Sequence, residues 1–268
     1  MSSDSFLRVE SISKRYGPER SAGAAAGIPG LHEVSFNLSR GRLLGLVGPS
    51  GAGKSTLARS VALVEPPDSG RILLEACDLW GSRREARRKL RTRIQLIAQQ
   101  PAASLNPRFT AAEIVSEPLV IQNRGTPAER RRLASQWIQT AGLHPDCLDK
   151  RALEFSGGER QRLAIARALI LEPAVLILDE SFAGLDLSVQ GQIARLLRDL
   201  RRERGLASIL ITHDLALGAS LADEIAVMDA GRIVENGPAE EVISHLRHQR
   251  TRELLHAAMA LSLEAPAP

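Results

Sequence analysis

Aromatic side chains are scarce: phenylalanine, tryptophan and tyrosine make up 3% of the 268 residues, and Tyr16 is the only tyrosine. Aliphatic side chains must therefore fill the core, within a hydrophobic content of 44% that is ordinary for a globular chain. Lysine is rare as well. Of the 35 basic residues only Lys14, Lys54, Lys89 and Lys150 are lysines; the rest are arginine. The net charge is only +4, so composition gives no ground for a nucleic-acid partner or a membrane-surface role. The two cysteines, Cys77 and Cys147, stand far apart and in no C-x-x-C, which excludes a disulfide framework and gives no zinc signature. The opening MSSDSFLRVE has no basic stretch followed by an apolar one, so it does not read as a signal peptide. No apolar run approaches the ~18 residues of a membrane span. The expectation is a soluble, cytoplasmic protein that meets a membrane only through a partner.

What is present is an alternation of strand and helix patterns. Phe6 to Ile12 reads as a strand, followed by a Gly-, Ala- and Pro-rich loop through Gly30, a second strand over Leu31 to Leu38, and a buried strand over Leu43 to Val47. A glycine-rich loop over Gly48 to Gly53 leads into a helix from Lys54 to Val64. Arg71 to Leu74 and Ile94 to Ala98 read as strands. Between them the basic run over Ser82 to Arg93 has the charge to meet phosphate or lipid head groups, but reads better as a solvated helix face. Residues from about 100 to 172 read as mainly helical, with Leu133, Trp137, Ile138 and Ala141 on one apolar face. Strand and helix alternate again from Val175: a helix over Leu187 to Arg204 with Gly205 past its end, a strand over Ser208 to Ile211, and a hairpin turning at Asp229-Ala230-Gly231. The tail after about residue 245 reads as helical before it ends in EAPAP. Such alternation implies an α/β fold with a largely parallel sheet, helices on both faces, and ligands at the carboxyl ends of the strands.

Residues 48–55 spell GPSGAGKS, a full match to G-x-x-x-x-G-K-[ST] between an apolar strand and a helix. Glycines let the backbone N–H groups of the loop Gly48, Pro49, Ser50, Gly51, Ala52 and Gly53 (Pro49 having none) converge on phosphate oxygens, and the helix N-terminus adds a positive dipole end. Lys54 is placed to hold the β- and γ-phosphates of ATP, Ser55 to give its hydroxyl oxygen to Mg²⁺, and Thr56 to support it. A second strand, Val175-Leu176-Ile177-Leu178, ends in Asp179 and Glu180. Asp179 is the expected magnesium ligand, direct or through water, and Glu180 the residue that orients or deprotonates the attacking water.

A third motif, FSGGERQ at 155–161 followed by RLAIARAL, resembles the signature of the ABC ATPases, LSGGQ in its common form. Ser156 and Glu159 form S-x-x-E, a capping box at a helix start, and leave the N–H groups of Gly157 and Gly158 to face an anion. The resemblance covers about residues 6 to 245. It implies a P-loop NTPase core with a mainly parallel sheet, an antiparallel β subdomain and an inserted helical subdomain. The core comprises 6–99 and 173–245, the helical signature subdomain 100–172, and the tail 246–268. It also implies that the anion at Ser156, Gly157 and Gly158 is the γ-phosphate of ATP held by a second subunit. Residue by residue, Tyr16 in KRYG resembles the aromatic that stacks on adenine. Gln99, with Gln100 beside it, resembles the Q-loop glutamine that touches Mg²⁺ or the lytic water. Asp186 in AGLD resembles the D-loop aspartate that bridges subunits, and His213 in ITHD the switch histidine at the γ-phosphate. Three positions depart from the pattern: Phe155 stands for the common Leu, Glu159 for Gln, and AQQP for FQDP around Gln99. Glu159 sets a carboxylate near the trans γ-phosphate, from which a modest cost to ATP-driven dimerisation is expected.

SLNPR at 104–108 and TRELLHAA from 251 resemble the ATPases of the oligopeptide, dipeptide and nickel importers. That group implies a cytoplasmic chain, peripheral on the inner face of the cell membrane. Its partners would be two membrane permeases and a second ABC ATPase, with a substrate-binding protein acting through the permeases. No cysteine-rich extension is present, so no iron–sulfur cluster is expected. The alternative is an ATPase that remodels a soluble enzyme complex of the carbon–phosphorus lyase kind. DNA-repair ATPases of this class need a long coiled coil, and paired translation factors need two cassettes; the chain has room for neither.

Overall fold

A computed structural model of the chain describes residues 6–17, 28–99, 104–182 and 185–255. Of the loop expected over 13–30, residues 18–27 lie outside the described residues, as do Gln100 and the end of the tail from residue 256, whereas 13–16 and 28–30 prolong two strands rather than forming loop. The chain divides into two compact units, one built from residues up to Leu90 together with those from Ala207 onward, the other from Arg91–Leu206.

The first unit contains an antiparallel sheet of β1 (Leu7–Tyr16), β2 (Ile28–Leu38), β4 (Ser69–Leu74) and β5 (Cys77–Asp78), in the order β2-β1-β4-β5. Leu7 and Val9 face the core, opposite Leu38 and Phe36 on one side and Leu74 and Ile72 on the other. Strict alternation would turn Ser11 inward. Instead the register shifts after Val9, Ser11 takes φ 46, and Ile12 becomes the buried residue. The irregularity lets an apolar pattern of Leu7, Val9 and Ile12 stay on one face.

The same unit contains β3 (Leu43–Val47), β8 (Ala207–Thr212), β9 (Glu224–Asp229) and β10 (Arg232–Pro238), in the order β10-β9-β3-β8. β3 runs parallel to β8 and to β9, and β10 returns antiparallel to β9. Every residue of β3 and β8 is buried, as continuous apolar strands of a covered parallel sheet should be. Helices α1 (Lys54–Val61), α7 (Leu215–Leu221) and α8 (Ala239–Ser244) belong to this unit. Val47, Leu215, Ile225, Val227 and Val242 form one apolar cluster, and Leu254 and Leu255 of the helical stretch 249–255 pack against it. The hairpin turns through Ala230 (φ 45) and Gly231 (φ 78), the pair of left-handed residues that a two-residue turn between twisted strands demands. α1 stops at Val61 rather than Val64, because Leu63 adopts φ 59 with its side chain fully buried; tertiary packing overrides the local helical pattern.

In the second unit β6 (Ile94–Ile97) and β7 (Val175–Asp179) pair in parallel. α2 (Arg84–Arg93), the basic run, leads into β6 and buries only Leu90. The helices of this unit are α3 (Ala111–Ile121), α4 (Pro127–Thr140), α5 (Gly157–Leu169) and α6 (Leu187–Arg204). Three of them open with full capping boxes: Thr110 with Glu113, Thr126 with Glu129, and Ser156 with Glu159. Each box satisfies two backbone donors that a helix start otherwise leaves open. On α4, Trp137 and Ile138 are buried with Ala141 just past its end, whereas Leu133 of the expected face is half-buried and Ala134 is buried beside it; Arg204 lies over the Trp137 ring at 5.0 Å. α6 buries Ile193, Leu197 and Leu200 and ends at Gly205 with φ 66, the left-handed cap that glycine favours.

Candidate functional site

In the first unit the loop from Gly48 to Gly53 leaves the carboxyl end of β3 and enters α1. Two close approaches dictate its glycines. A Cβ on Gly48 would fall 2.2 Å from the Met228 carbonyl oxygen. Gly53 has φ 100, and a Cβ there would fall 2.3 Å from the Gly30 carbonyl oxygen. The loop is also stitched to the β9–β10 hairpin, because the Gly231 N–H donates to the Ala52 carbonyl at 3.0 Å. Gly53 is the N-cap of α1 and offers no side-chain acceptor, so the first-turn N–H groups are open to an external anion. Lys54 is buried, and its Nζ donates to the Gly48 and Pro49 carbonyls at 2.7 and 2.9 Å. These bonds fix the ammonium against the loop's own backbone. Ser55 is half-buried and Thr56 buried.

β3 and β8 run in parallel with Val47 opposite Thr212. The loop and His213 therefore leave adjacent strands at the same edge, the edge at which open α/β sheets bind ligands. His213 is exposed, and Asp214 caps α7 by accepting from the Leu217 N–H. Tyr16, at the end of β1, is 36% exposed, and its ring lies so near Gly30 that a Cβ there would be 2.7 Å from Cε2. The Tyr16 hydroxyl donates to Glu65 at 2.8 Å and accepts from Arg59 at 3.3 Å. The bond to Tyr16, set against partial burial, raises the Arg59 pKa, so the guanidinium stays charged. Glu65 and Arg59 were not singled out in the sequence, since nothing in their spacing marks a contact with Tyr16.

In the second unit Ile97 lies opposite Leu178, so Gln99 and Glu180 follow at matching positions beyond the two strand ends. The Gln99 Nε2 donates to the Glu180 carboxylate at 3.2 Å. That leaves the carbonyl end of the Gln99 amide as the end suited to a cation. Asp179 is buried at the end of β7. Glu180 is half-buried with φ 48, a left-handed conformation that is costly for a non-glycine residue and concentrates at functional sites. Within this unit Gln99 and Asp179 present oxygen donors, the chemistry Mg²⁺ takes, as the Ser55 hydroxyl does in the first unit.

At the start of α5 the Ser156 hydroxyl accepts from the Glu159 N–H at 3.3 Å, and the Glu159 carboxylate accepts from the Ser156 N–H at 2.8 Å. The cap engages these two donors and not the N–H groups of Gly157 and Gly158. A Cβ on Gly157 would meet nothing within 4 Å, so this helix start is open to an incoming group. Hydrogen bonds from Ser156, backbone first, hold the Glu159 carboxyl below its ordinary pKa. Asp186 caps α6, accepting from the Val189 N–H at 2.9 Å. Cys77 and Cys147 are both free.

Two glutamine amides, one buried and one half-buried, make contacts to which the motifs assign no role. Gln161 of α5 donates to the Ser181 carbonyl at 2.6 Å, and Gln190 of α6 donates to the carbonyls of Phe182 and Leu185 at 3.1 and 3.2 Å. For Gln161 a signal existed: it shares a face of the helix with Ala164, Ile165 and Ala168, where periodicity calls for an apolar residue.

The chain is similar in sequence and fold to known proteins. A profile of the ABC transporter family matches residues 31–183. A probable peptide ABC transporter ATP-binding protein of Sinorhizobium fredii is 42% identical over 259 residues, 96% of this chain and 73% of that protein. The dipeptide transport ATP-binding protein DppF of Escherichia coli is 40% identical over 247 residues, 92% of this chain and 72% of its own length. Among solved structures, an ATP-binding cassette captured as a dimer in a post-hydrolysis state with ADP and Pi matches with TM-score 0.77 at 27% identity, covering 87% of this chain and 98% of that one. The cbiO1 protein of Clostridium perfringens, part of the ABC transporter complex cbiONQ, matches with TM-score 0.78 at 30% identity, covering 94% of this chain and 99% of that one.

Proposed function

The chain belongs to the ABC transporter family and is one of its ATPases, and from that premise we propose that it drives a peptide importer. The observation that carries the nucleotide part is the loop at 48–53, whose glycines bring backbone N–H groups together at the uncapped start of α1 beside the buried Lys54. Peptide rather than nickel is the proposed cargo because both relatives described above are named for peptide transport.

In this reading Tyr16 carries the adenine, and Gly48 through Thr56 with Lys54 carry the phosphates. Ser55, Asp179 and Gln99 would hold Mg²⁺, which when bound offsets phosphate charge. Glu180 orients the attacking water or takes its proton, and its bond to Gln99 keeps the carboxylate on the side where the Q-loop lies. His213 contacts the γ-phosphate. Ser156, Gly157, Gly158 and Asp186 serve the nucleotide of a second ABC ATPase subunit. Leu187, directly after Asp186, is 85% exposed, an apolar side chain suited to being covered by that subunit.

Two permeases complete the proposed machine, with a substrate-binding protein acting through them and no nucleic acid. A groove of about 390 Å³ in the second unit, lined by Leu96, Ala98, Pro118 and Ile121 with Arg167 at its side, supports the seating of a permease helix close to Gln99. Among the described residues no helix is long and apolar enough to cross a membrane. The proposed location is cytoplasmic, peripheral on the inner face of the cell membrane.

The test is uptake of labelled di- and tripeptides by cells lacking the chain. Wild type should restore uptake, while Lys54→Ala (weakened ATP binding) and Glu180→Gln (binding without turnover) should not. Peptide uptake indifferent to the presence of the chain would remove the importer reading and leave the soluble remodelling ATPase in its place.

A further inference from the structure

The backbone carbonyls of Ser181, Phe182 and Leu185 accept hydrogen bonds from two glutamine amides that nucleotide chemistry does not call for. Gln161 is 5% exposed, and its amide reaches the carbonyl of Ser181, itself 3% exposed, at 2.6 Å. The Ser181 hydroxyl adds a bond to the Ile97 carbonyl at 3.3 Å. These bonds fall on the residue immediately after Glu180, whose backbone stands at φ 48. A non-glycine residue stays there only where its surroundings over-determine it. Burying a primary amide among Ala164, Ile165 and Ala168 is itself unfavourable unless the amide is hydrogen-bonded. A leucine or methionine would fill that face of α5 at lower cost. What Gln161 adds is a donor aimed at the Ser181 carbonyl.

We infer that Gln161 is a positioning residue for ATP hydrolysis: by pinning the Ser181 carbonyl it holds the chain that follows Glu180, and so sets the Glu180 carboxylate against Gln99. The inference rests on the reading of Glu180 as the group that acts on the attacking water. It also gives α5 a second task. This helix opens with Ser156, Gly157 and Gly158 and, one turn further on, carries the strut to the hydrolytic carboxylate of the same chain. A displacement of the signature end is thereby passed to Glu180 without leaving the second unit.

The experiment compares the full chain with Gln161→Met, which keeps the volume and removes the donor, and with Gln161→Glu, which replaces the amide donor by a carboxylate. ATPase rates are normalised to the number of ATP-binding sites, so that a smaller folded fraction does not pass for slower chemistry. The expected result is a fall in kcat of about tenfold or more, since a misplacement of a fraction of an ångström suffices for that, with KM for ATP changed by less than about twofold. On a Glu180→Gln background Gln161→Met should cause no further loss in the single-turnover rate, because the carboxylate it positions is gone. If Gln161→Met turns over like wild type, or costs as much on the Glu180→Gln background as alone, the inference is overturned. Full turnover by Glu180→Gln itself would instead remove the reading beneath it, and is seen without any Gln161 variant. Should Gln161→Met not accumulate as folded chain, Gln161→Asn, which keeps the amide one methylene short, gives the same two readouts.

Discussion

Glu159 does two things that pull against each other. Its carboxylate closes the cap at Ser156, and hydrogen bonds there lower its pKa below the ordinary value of 4.5. A depressed folded pKa contributes stability that is present above 4.5 and lost as pH falls through the folded value. Glutamine also closes such a box but brings no negative charge to the helix dipole. Glu159→Gln should therefore lower the melting temperature near neutral pH by about 1–2 °C, and the difference should vanish in acid, below the folded pKa. The same substitution should lower the ATP concentration needed for dimerisation, by removing a carboxylate from the trans γ-phosphate. An unchanged concentration would speak against that cost. Tyr16 offers a second residue-scale test. In the proposed function its ring carries the base, and its hydroxyl bonds Glu65 and Arg59. Tyr16→Ala should weaken ATP binding by about tenfold, the worth of one stacked base, and Tyr16→Phe by less; equilibrium ATP binding reads both. At this scale the residues legible in the sequence are those whose chemistry is written as spacing, such as Lys54, Ser55, Asp179, Glu180 and Ser156. Gln190 and Glu65 were not, because a side chain reaching a distant carbonyl or hydroxyl leaves no local pattern; Gln161 left one only as a polar residue on an apolar helix face.

Among elements, the phosphate loop is the most constrained. It is bounded by β3, threaded against β2 at Gly30, and bonded to the β9–β10 hairpin at Gly231. Gly53→Ala has to find room for a Cβ 2.3 Å from the Gly30 oxygen at φ 100. It should cost about 1–3 kcal/mol of stability and abolish ATP binding; a variant that melts and binds ATP like wild type would contradict the packing described. β3, β7 and α6 could be read from the sequence nearly to the residue, since continuous apolar runs and a terminal glycine are strong local signals. Other features depended on tertiary structure. The inward turn of Ile12 needs the irregularity at Ser11, and the early end of α1 needs the buried Leu63. The boxes at Thr110 and Thr126 do have a sequence signature, T-x-x-E, the same kind that marked Ser156. Short as it is, that signature also occurs away from helix starts, and at Thr110 and Thr126 no further motif glycines follow it.

For the whole molecule, the ATPase follows from its own residues and the cargo does not. The roles proposed for its residues concern nucleotide, a second cassette or a permease, so the proposed solute comes through relatives named for peptide transport. The most direct test of the central claim is therefore to recover this chain in detergent from its native membranes and identify by mass spectrometry what comes with it. The result expected is two multi-span permeases and an ABC ATPase partner, either a second kind or another copy of this chain. Recovery with soluble enzyme subunits and no permease would contradict the importer and assign the same ATP chemistry to a remodelling machine.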